Sequence, residues 1–385
     1  MSRANVSAGA RPPPPVYPPR LSISGRDILD EHGQPFVPRG FSWNRAWRMG
    51  DGAAQAALGA NIARLEFRWF DNASLTPPYY PPESGQDSYN PNAPGNIDPG
   101  FLADIDMKIA DATGAGLWVD LAMHPGSNSF WTDPLVNAQF LELWVFLAQR
   151  YKTHPKIAWF ELIVEPSPLN DPYNSLAAMA VYRQAIDVVR AVDPLRICAV
   201  GACKNYSPRN VASMWMPDVD DLVYVINFYE LASTSTNLGD GNYVKQVKDG
   251  KTPLTPYPGT YHDYRGDQPN AVATYPGAGQ TVTMDKGWLN GLLGVAVNFS
   301  VSANVPVWVD QFGIISGTPN AITWAGDLAD NCNAAGIGWA YWVWSTPYNS
   351  SSLLQDDIGV TWEDSGGNWH TKPDWATMLS QKLTA

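Results

Sequence analysis

Val305-Pro-Val-Trp-Val-Asp-Gln-Phe-Gly313 reads as a short buried strand that ends in a polar step and a glycine. Ile157-Ala-Trp-Phe-Glu-Leu-Ile-Val-Glu-Pro166 has the same design. A short apolar run bounded by turn signals marks a strand covered on both faces. A polar side chain at the C-terminal end of such a strand stands where a parallel barrel places its chemistry. One stretch puts a carboxyl there, Glu165; the other puts a neutral amide, Gln311.

Outward from these two stretches the chain alternates. Strands are expected at 36–44, 61–67, 117–122, 157–163, 196–200, 222–228, 305–309 and 337–344. Helices are expected at 51–58, 101–113, 136–151, 175–192, 286–299, 321–335 and 374–383, with only a turn or two at 207–218. Strands and helices in this alternation predict an α/β fold, a (β/α)8 TIM barrel with long βα loops. The runner-up, an open doubly wound sheet, usually carries a Gly-rich phosphate turn after its first strand, and none is present. Ahead of the barrel, 21–39 reads as a β-hairpin placed to plug its bottom, with turn chemistry at His32-Gly-Gln-Pro35. Residues 1–20, with Arg11-Pro-Pro-Pro-Pro-Val-Tyr-Pro-Pro-Arg20, read as a polyproline tail or linker. That leaves 21–385 as a single barrel domain. The loops at 70–100 and 229–285 are too long to be bare connections.

Composition narrows the function. The net charge of −12 argues against nucleic acid or an anionic membrane as partner. No run of 18 apolar residues occurs. The sequence as given begins without an apolar signal segment, and extracellular and cytoplasmic placements both stay open. Three cysteines, Cys198, Cys203 and Cys332, are an odd set without a CxxC pair, which argues against a disulfide framework or a zinc site. A Cys198–Cys203 bridge is disfavoured because Cys198 falls in a strand. The five histidines have no metal spacing. No cofactor is implied, and a monomer is expected.

The 17 Trp and 17 Tyr are either large core residues or flat platforms for sugar faces. Many stand in Pro/Gly-rich loops: Tyr79, Tyr80, Tyr89, Trp131, Tyr206, Trp215, Tyr257, Tyr261, Tyr264 and Tyr275. The expected strand ends carry Arg64 and Glu66, His124, Val164 and Glu165, Asn227 and Tyr229, Gln311, and Trp342 and Trp344, with Asn205 just past the fifth strand. A buried polar ring of this kind needs a ligand or mutual hydrogen bonds.

These residues resemble glycoside hydrolase family 5, the retaining cellulases and mannanases, over about 21–383. Asp30-Glu-His-Gly-Gln-Pro-Phe-Val-Pro-Arg-Gly40 is similar to the family's opening hairpin, and Ile62-Ala-Arg64 to its strand-two arginine. Val119-Asp-Leu-Ala-Met-His124 is similar to its strand-three histidine, and Phe160-Glu-Leu-Ile-Val-Glu165-Pro166 to its Asn-Glu-Pro acid/base motif. Ile226-Asn227-Phe-Tyr229 resembles its His-x-Tyr, and Pro306-Val-Trp-Val-Asp-Gln311-Phe-Gly313 its Glu-Phe-Gly nucleophile motif. Gly338-Trp-Ala-Tyr-Trp-Val-Trp344 resembles its tryptophan segment, with Trp342 or Trp344 as the floor of the central subsite.

Three positions depart from that pattern. Val164 stands for the Asn that binds the sugar 2-hydroxyl, Asn227 for a His, and Gln311 for the nucleophile. The resemblance makes Glu165 the acid/base and leaves an amide where an attacking carboxylate belongs. A Glu-to-Gln exchange is also the isosteric one used to trap a substrate, but three departures at one site favour a natural protein that no longer cuts. Substitute acids are Glu66, on the same strand face as Arg64, Glu161 deeper on the strand of Glu165, and Glu230 at a loop start. Asp310 is expected to point into the helix layer unless a bulge turns it. The function expected is binding of a β-linked oligo- or polysaccharide, β-glucan or β-mannan, with hydrolysis absent or weak. The alternatives are an active retaining endo-β-glycosidase using Glu165 and a non-standard carboxylate, and a structural protein with a vestigial cleft.

Overall fold

The computed structural model describes residues 18–43, 47–69, 88–125, 129–168, 171, 174–203, 206–230, 256–263, 275–314, 316–347 and 358–385. The polyproline stretch up to 17, Asn205, and the loop rings Tyr79, Tyr80 and Tyr264 lie outside the described residues.

A short hairpin, β1 (Ser22–Ser24) and β2 (Asp27–Leu29), leads into the barrel. The barrel strands are β3 (Arg39–Trp43), β4 (Ile62–Trp69), β5 (Trp118–Pro125), β6 (Ile157–Glu161), β7 (Cys198–Gly201) and β8 (Leu222–Phe228). An antiparallel ribbon of β9 (Gly259–His262) and β10 (Thr281–Met284) intervenes, and β11 (Val307–Phe312) and β12 (Gly338–Trp342) complete the barrel. All barrel pairings are parallel, with β8 against β11 and β12 against β3 closing the ring. The fold is therefore the expected (β/α)8 barrel. A small sheet of β13 (Ser345–Thr346), β14 (Thr361–Glu363) and β15 (Trp369–Thr371) follows.

Helices α1 (Asp51–Ala57), α2 (Pro99–Gly114), α3 (Pro134–Tyr151), α4 (Ser175–Val192), α5 (Lys286–Ala303), α6 (Ala321–Ala335) and α7 (Pro373–Leu383) accompany the strands. The expected weak fifth helix is a 3-10 segment, Pro208–Met214. Local chemistry sets the helix starts. Asp98, Asp133, Asn174 and Asp285 each accept a backbone N–H of the first turn, and Pro99, Pro134 and Pro373 occupy the first turn, where a missing N–H costs nothing.

The hairpin turns at Gly25, whose φ of 60° a glycine adopts freely, and not at His32–Pro35. The later turn exists as well. Asp30 accepts from the N–H groups of His32 and Gln34 at 2.8 Å, and Leu29 bridges to Pro35. As expected, the hairpin plugs the barrel: Leu21 and Ile28 join Ile62, Trp118, Trp159 and Trp308 in the interior core. Trp159 and Trp308 meet edge to face at 5.1 Å, and Trp308 Nε1 donates to the Pro38 carbonyl at 3.2 Å. All three cysteines are free and buried. Among the described residues no helix is long and apolar enough to cross a membrane.

Trp308→Ala is expected to lower the unfolding free energy by about 3–5 kcal/mol, the usual cost of emptying a buried aromatic site. Chemical denaturation measures this, and a loss below about 1 kcal/mol would mean the indole does not fill the barrel floor.

Candidate active site

Strand alternation predicts that Asp310 and Gln311 face opposite sides, and the structure places both inside. Trp308 points into the barrel, so Asp310 two residues later does too. A bulge then intervenes. Val309 pairs with Ile226 and Gln311 with Asn227, so two residues of β11 advance against one of β8. The extra residue turns Gln311 back to the barrel mouth. Asp310 is thus an interior acid, which corrects the expectation from simple alternation.

Beneath the mouth lies Arg64, fully buried. Glu161 grips it with both oxygens, at 2.7 Å from Nε and 2.8 Å from Nη2. Glu66 accepts from Nη1 at 3.1 Å, as does Ser42 in donor–acceptor contact at 3.1 Å. Asp120 and Asp310 approach the guanidinium at 3.6 and 3.4 Å. Neither aspartate has a hydrogen-bond donor at its oxygens, and burial followed by the charge of Glu161 pushes both carboxyls well above the ordinary range. Burial disfavours the charged form of both. Asp120 escaped the sequence analysis, although a charged residue inside the apolar run Trp118-Val-Asp-Leu-Ala122 was the available signal.

Above Arg64, hydrogen bonding orients the Gln311 amide. Its Oε1 accepts from Arg64 Nη1 at 2.8 Å and Nη2 at 3.1 Å, and its Nε2 donates to the Tyr229 hydroxyl at 2.9 Å. The reverse orientation would set N–H against N–H. Tyr229 in turn meets Trp342 edge to face at 6.0 Å.

Glu165 stands just past β6 on left-handed backbone, φ 51°, a conformation that costs energy for a non-glycine residue. The preceding residue is fixed by a hydrogen bond from Val164 N–H to the Met123 carbonyl at 2.8 Å. Asn227 Nδ2 donates to Glu165 Oε1. Burial first, and then the charge of Glu66, lift the Glu165 carboxyl to about 7, against the opposing pull of Arg64 and Asn227. For Glu66 burial acts upward too, but His124, Arg64 and Arg68 outweigh it and hold it below the ordinary glutamate value. Burial lowers His124, whose Nδ1 lies 3.1 Å from the Pro125 carbonyl.

The expected site residues divide by exposure. His124, Glu165, Tyr229 and Trp342 are partly exposed; Glu66, Asn227 and Gln311 are 3–5% exposed. Arg64, Val164 and Trp344 present almost no surface to a ligand. Val164 packs in the barrel interior with Trp159 and Tyr206. Trp344 packs against Phe41 at 5.0 Å in the layer behind the strands, which leaves Trp342 as the ring at the mouth. Glu230 is unavailable as a stand-in acid, because Arg209 holds it at 2.7 Å and 2% exposure. The loop rings are mostly core. Tyr206, Tyr257 and Tyr275 are buried, Tyr89 packs on Trp69, Trp131 packs on Phe130, and Trp215 is exposed. Among the described residues no group of His, Cys, Asp and Glu has the arrangement to hold a metal ion.

The model of the cellulase family, glycosyl hydrolase family 5, matches residues 29–347. The chain belongs to glycosyl hydrolase family 5. Endoglucanase C of Acetivibrio thermocellus is 23% identical over 243 residues, which are 59% of this chain and 67% of that protein. The cellulose synthase subunit Z of Clostridioides difficile superposes with a TM-score of 0.63 at 17% identity, covering 89% of this chain and 99% of that one. Cel5A of Thermotoga maritima in complex with cellobiose gives 0.63 at 17% identity, over 89% and 97%. Within this family fold the chain keeps a protonatable Glu165 at one side of the mouth and an amide at the other.

Glu165 titrates at the ordinary glutamate value, about 4.3, when the chain is unfolded, and at about 7 when folded. Its contribution to stability is therefore complete at low pH and lost as pH rises through the folded value. Glu165→Gln has no such loss. Its melting temperature relative to the parent is expected to climb between about pH 5 and pH 7.5 and then level off. A difference that does not change with pH would contradict the raised value.

Proposed function

We propose that this family 5 chain binds a β-linked oligo- or polysaccharide, of the β-glucan or β-mannan class, at the barrel mouth and does not hydrolyse it. The amide of Gln311 carries this reading. Retaining hydrolysis needs two carboxyls about 5 Å apart, one to protonate the leaving oxygen and one to attack the anomeric carbon. Glu165, raised to about 7, still suits the first role at neutral pH. Gln311 does not suit the second. An amide oxygen is a weak nucleophile, carries no charge to stabilise the developing cation, and here already accepts two hydrogen bonds from Arg64. Loss of one such electrostatic contact commonly costs about 3 kcal/mol of transition-state stabilisation or more.

Binding is supported by what remains at the mouth. Trp342 offers a partly exposed ring, while His124, Tyr229 and Glu165 offer hydrogen-bonding groups around it. Structural relatives have been solved with cellobiose and with mannotriose, which motivates both glycan classes. A second account has one observation in its favour. Glu66 is held ionised and lies 3.5 Å from the Gln311 amide, so it could lend charge to a reacting sugar. Its grip on Arg64 and its 5% exposure count against direct attack.

Calorimetric titration with cello- and manno-oligosaccharides is expected to show saturable binding by the parent chain. Trp342→Ala is expected to weaken it about tenfold or more, roughly 1.4 kcal/mol, while the exposed Trp215→Ala leaves it unchanged. Equal affinity in parent and Trp342→Ala would sink the mouth as the binding site. Hydrolysis by the parent that disappears in Glu66→Gln would replace the binding account with the second one.

A further inference from the structure

The flank of the barrel carries an apolar groove that the mouth does not use. Helix α3 buries Val136, Phe140, Leu143, Trp144 and Leu147 in the core. Leu141 and Val145, four residues apart and half-buried, therefore form a second apolar stripe on its outer side, where a helix on a barrel surface ordinarily shows polar residues. With Phe146, Val188 of α4, Glu142 and Gln149 they line an open groove of about 520 Å³ between α3 and α4. Gly95 packs flat on the Phe146 ring, where a Cβ would come within 2.5 Å, so the aromatic wall is held in place. An apolar stripe of this kind calls for a cover.

The described residues begin at the foot of this groove. Arg20 Nη1 donates to Asp193 at 2.6 Å, and Nη2 donates to the Lys152 carbonyl. Lys152 and Asp193 are the C-caps of α3 and α4. Ahead of Arg20 the sequence reads Arg11-Pro-Pro-Pro-Pro-Val-Tyr-Pro-Pro19. A polyproline segment rises about 3.1 Å per residue, so Pro18 back to Arg11 spans about 22 Å. An α-helix rises about 1.5 Å per residue, so Lys152 back to Ala138 spans about 21 Å. The two lengths match. Aromatic and apolar grooves are what such segments dock into, because the chain is already extended and loses little freedom. At the far end Arg11 would meet the turn of α3 that carries Glu142, an exposed carboxylate of opposite charge.

We propose that residues 11–17 dock in the α3/α4 groove of their own chain, as a strap along the flank of the barrel. Because α3 starts after the C-terminal end of β5, the strap carries the first residues from the barrel floor to the rim of the mouth. The inference stands apart from the glycan reading, and its test needs no sugar.

The test is disulfide cross-linking in the full chain, where the native cysteines are buried and do not compete. Pro14 falls about 12 Å along the segment from Pro18, and Val145 about 10 Å along α3 from Lys152, so the two stand at one height. The pair Pro14→Cys with Val145→Cys is compared with Pro14→Cys with Asp187→Cys. Asp187 lies at a similar height on the other flank of α4, between Arg183 and Arg190, which bind Asp218 and the Asp220 carbonyl. Pro13→Cys is run in parallel, since neighbouring residues of a three-residue turn point different ways, and the faster of the two is scored. In a glutathione buffer the Val145→Cys pair is expected to close within one chain at least ten times faster than the Asp187→Cys pair. Equal rates overturn the proposal. Closure that links two chains instead of one assigns the groove to a second copy and overturns it too.

Melting gives a readout without added cysteines. Val145→Glu puts a charge in the groove, and it is made in the parent and in a chain carrying Pro12→Gly, Pro13→Gly, Pro14→Gly and Pro15→Gly. The exchange is expected to lower the melting temperature of the parent by at least about 1 °C more than that of the glycine chain, whose segment has already lost its stiffness. Equal losses in the two backgrounds overturn the proposal.

Discussion

A single buried guanidinium organises the interior of this barrel. Arg64 rises from β4, is fully enclosed, and is gripped by Glu161 across the barrel at 2.7 and 2.8 Å. A buried charge of this kind is tolerable only with close partners and complete hydrogen bonding. The barrel supplies them from five strands: Ser42 on β3, Glu66 on Arg64's own strand, Asp120 on β5, Glu161 on β6 and Asp310 on β11. Removing Arg64 would strand four acids. Even with it in place, burial and the charge of Glu161 push the carboxyls of Asp120 and Asp310 well above the ordinary range.

That balance reaches the surface through Gln311. The amide caps Arg64 from above and passes the contact on to Tyr229, whose ring meets Trp342. Glu165 belongs to a different circuit, fixed by Asn227 and strained backbone, with a carboxyl raised chiefly by burial. The two sides of the mouth are thus set by different physics. One side keeps a proton available near neutrality. The other carries a neutral amide whose oxygen accepts from Arg64 at 2.8 and 3.1 Å.

Much of the barrel was legible because buried parallel strands are apolar along their length and their helices carry caps. The expected helices at 175–192 and 321–335 and the strand at 222–228 match the observed bounds. The bulge in β11 was not legible. A polar pair such as Asp310-Gln311 reads as one residue in and one out, and only the register against β8 shows both turned in. The hairpin turn was misplaced because His32-Gly33 offers stronger turn chemistry than Ser24-Gly25, and both in fact turn. Trp344 could not be separated from Trp342 by spacing, since the chain leaves the barrel strand between them. Loop aromatics such as Tyr206 and Tyr257 proved to be core, because an irregular segment packed on a barrel still buries its large rings. Glu165, Gln311, Asn227 and Tyr229 were singled out from the sequence because polar residues at the ends of apolar strands are costly without a purpose, and Asn227 does meet Glu165 and Tyr229 does meet Gln311.

The most direct measurement is the fate of a bound glycan. The parent chain is incubated with cellotetraose or mannotetraose for a day at about pH 6, the protein-bound fraction is separated by gel filtration, and the released sugar is weighed by mass spectrometry. A cleft that holds but does not cut returns the tetrasaccharide intact. Shortened products that depend on Glu165 would contradict the account, and would show that an acid other than residue 311 completes the reaction.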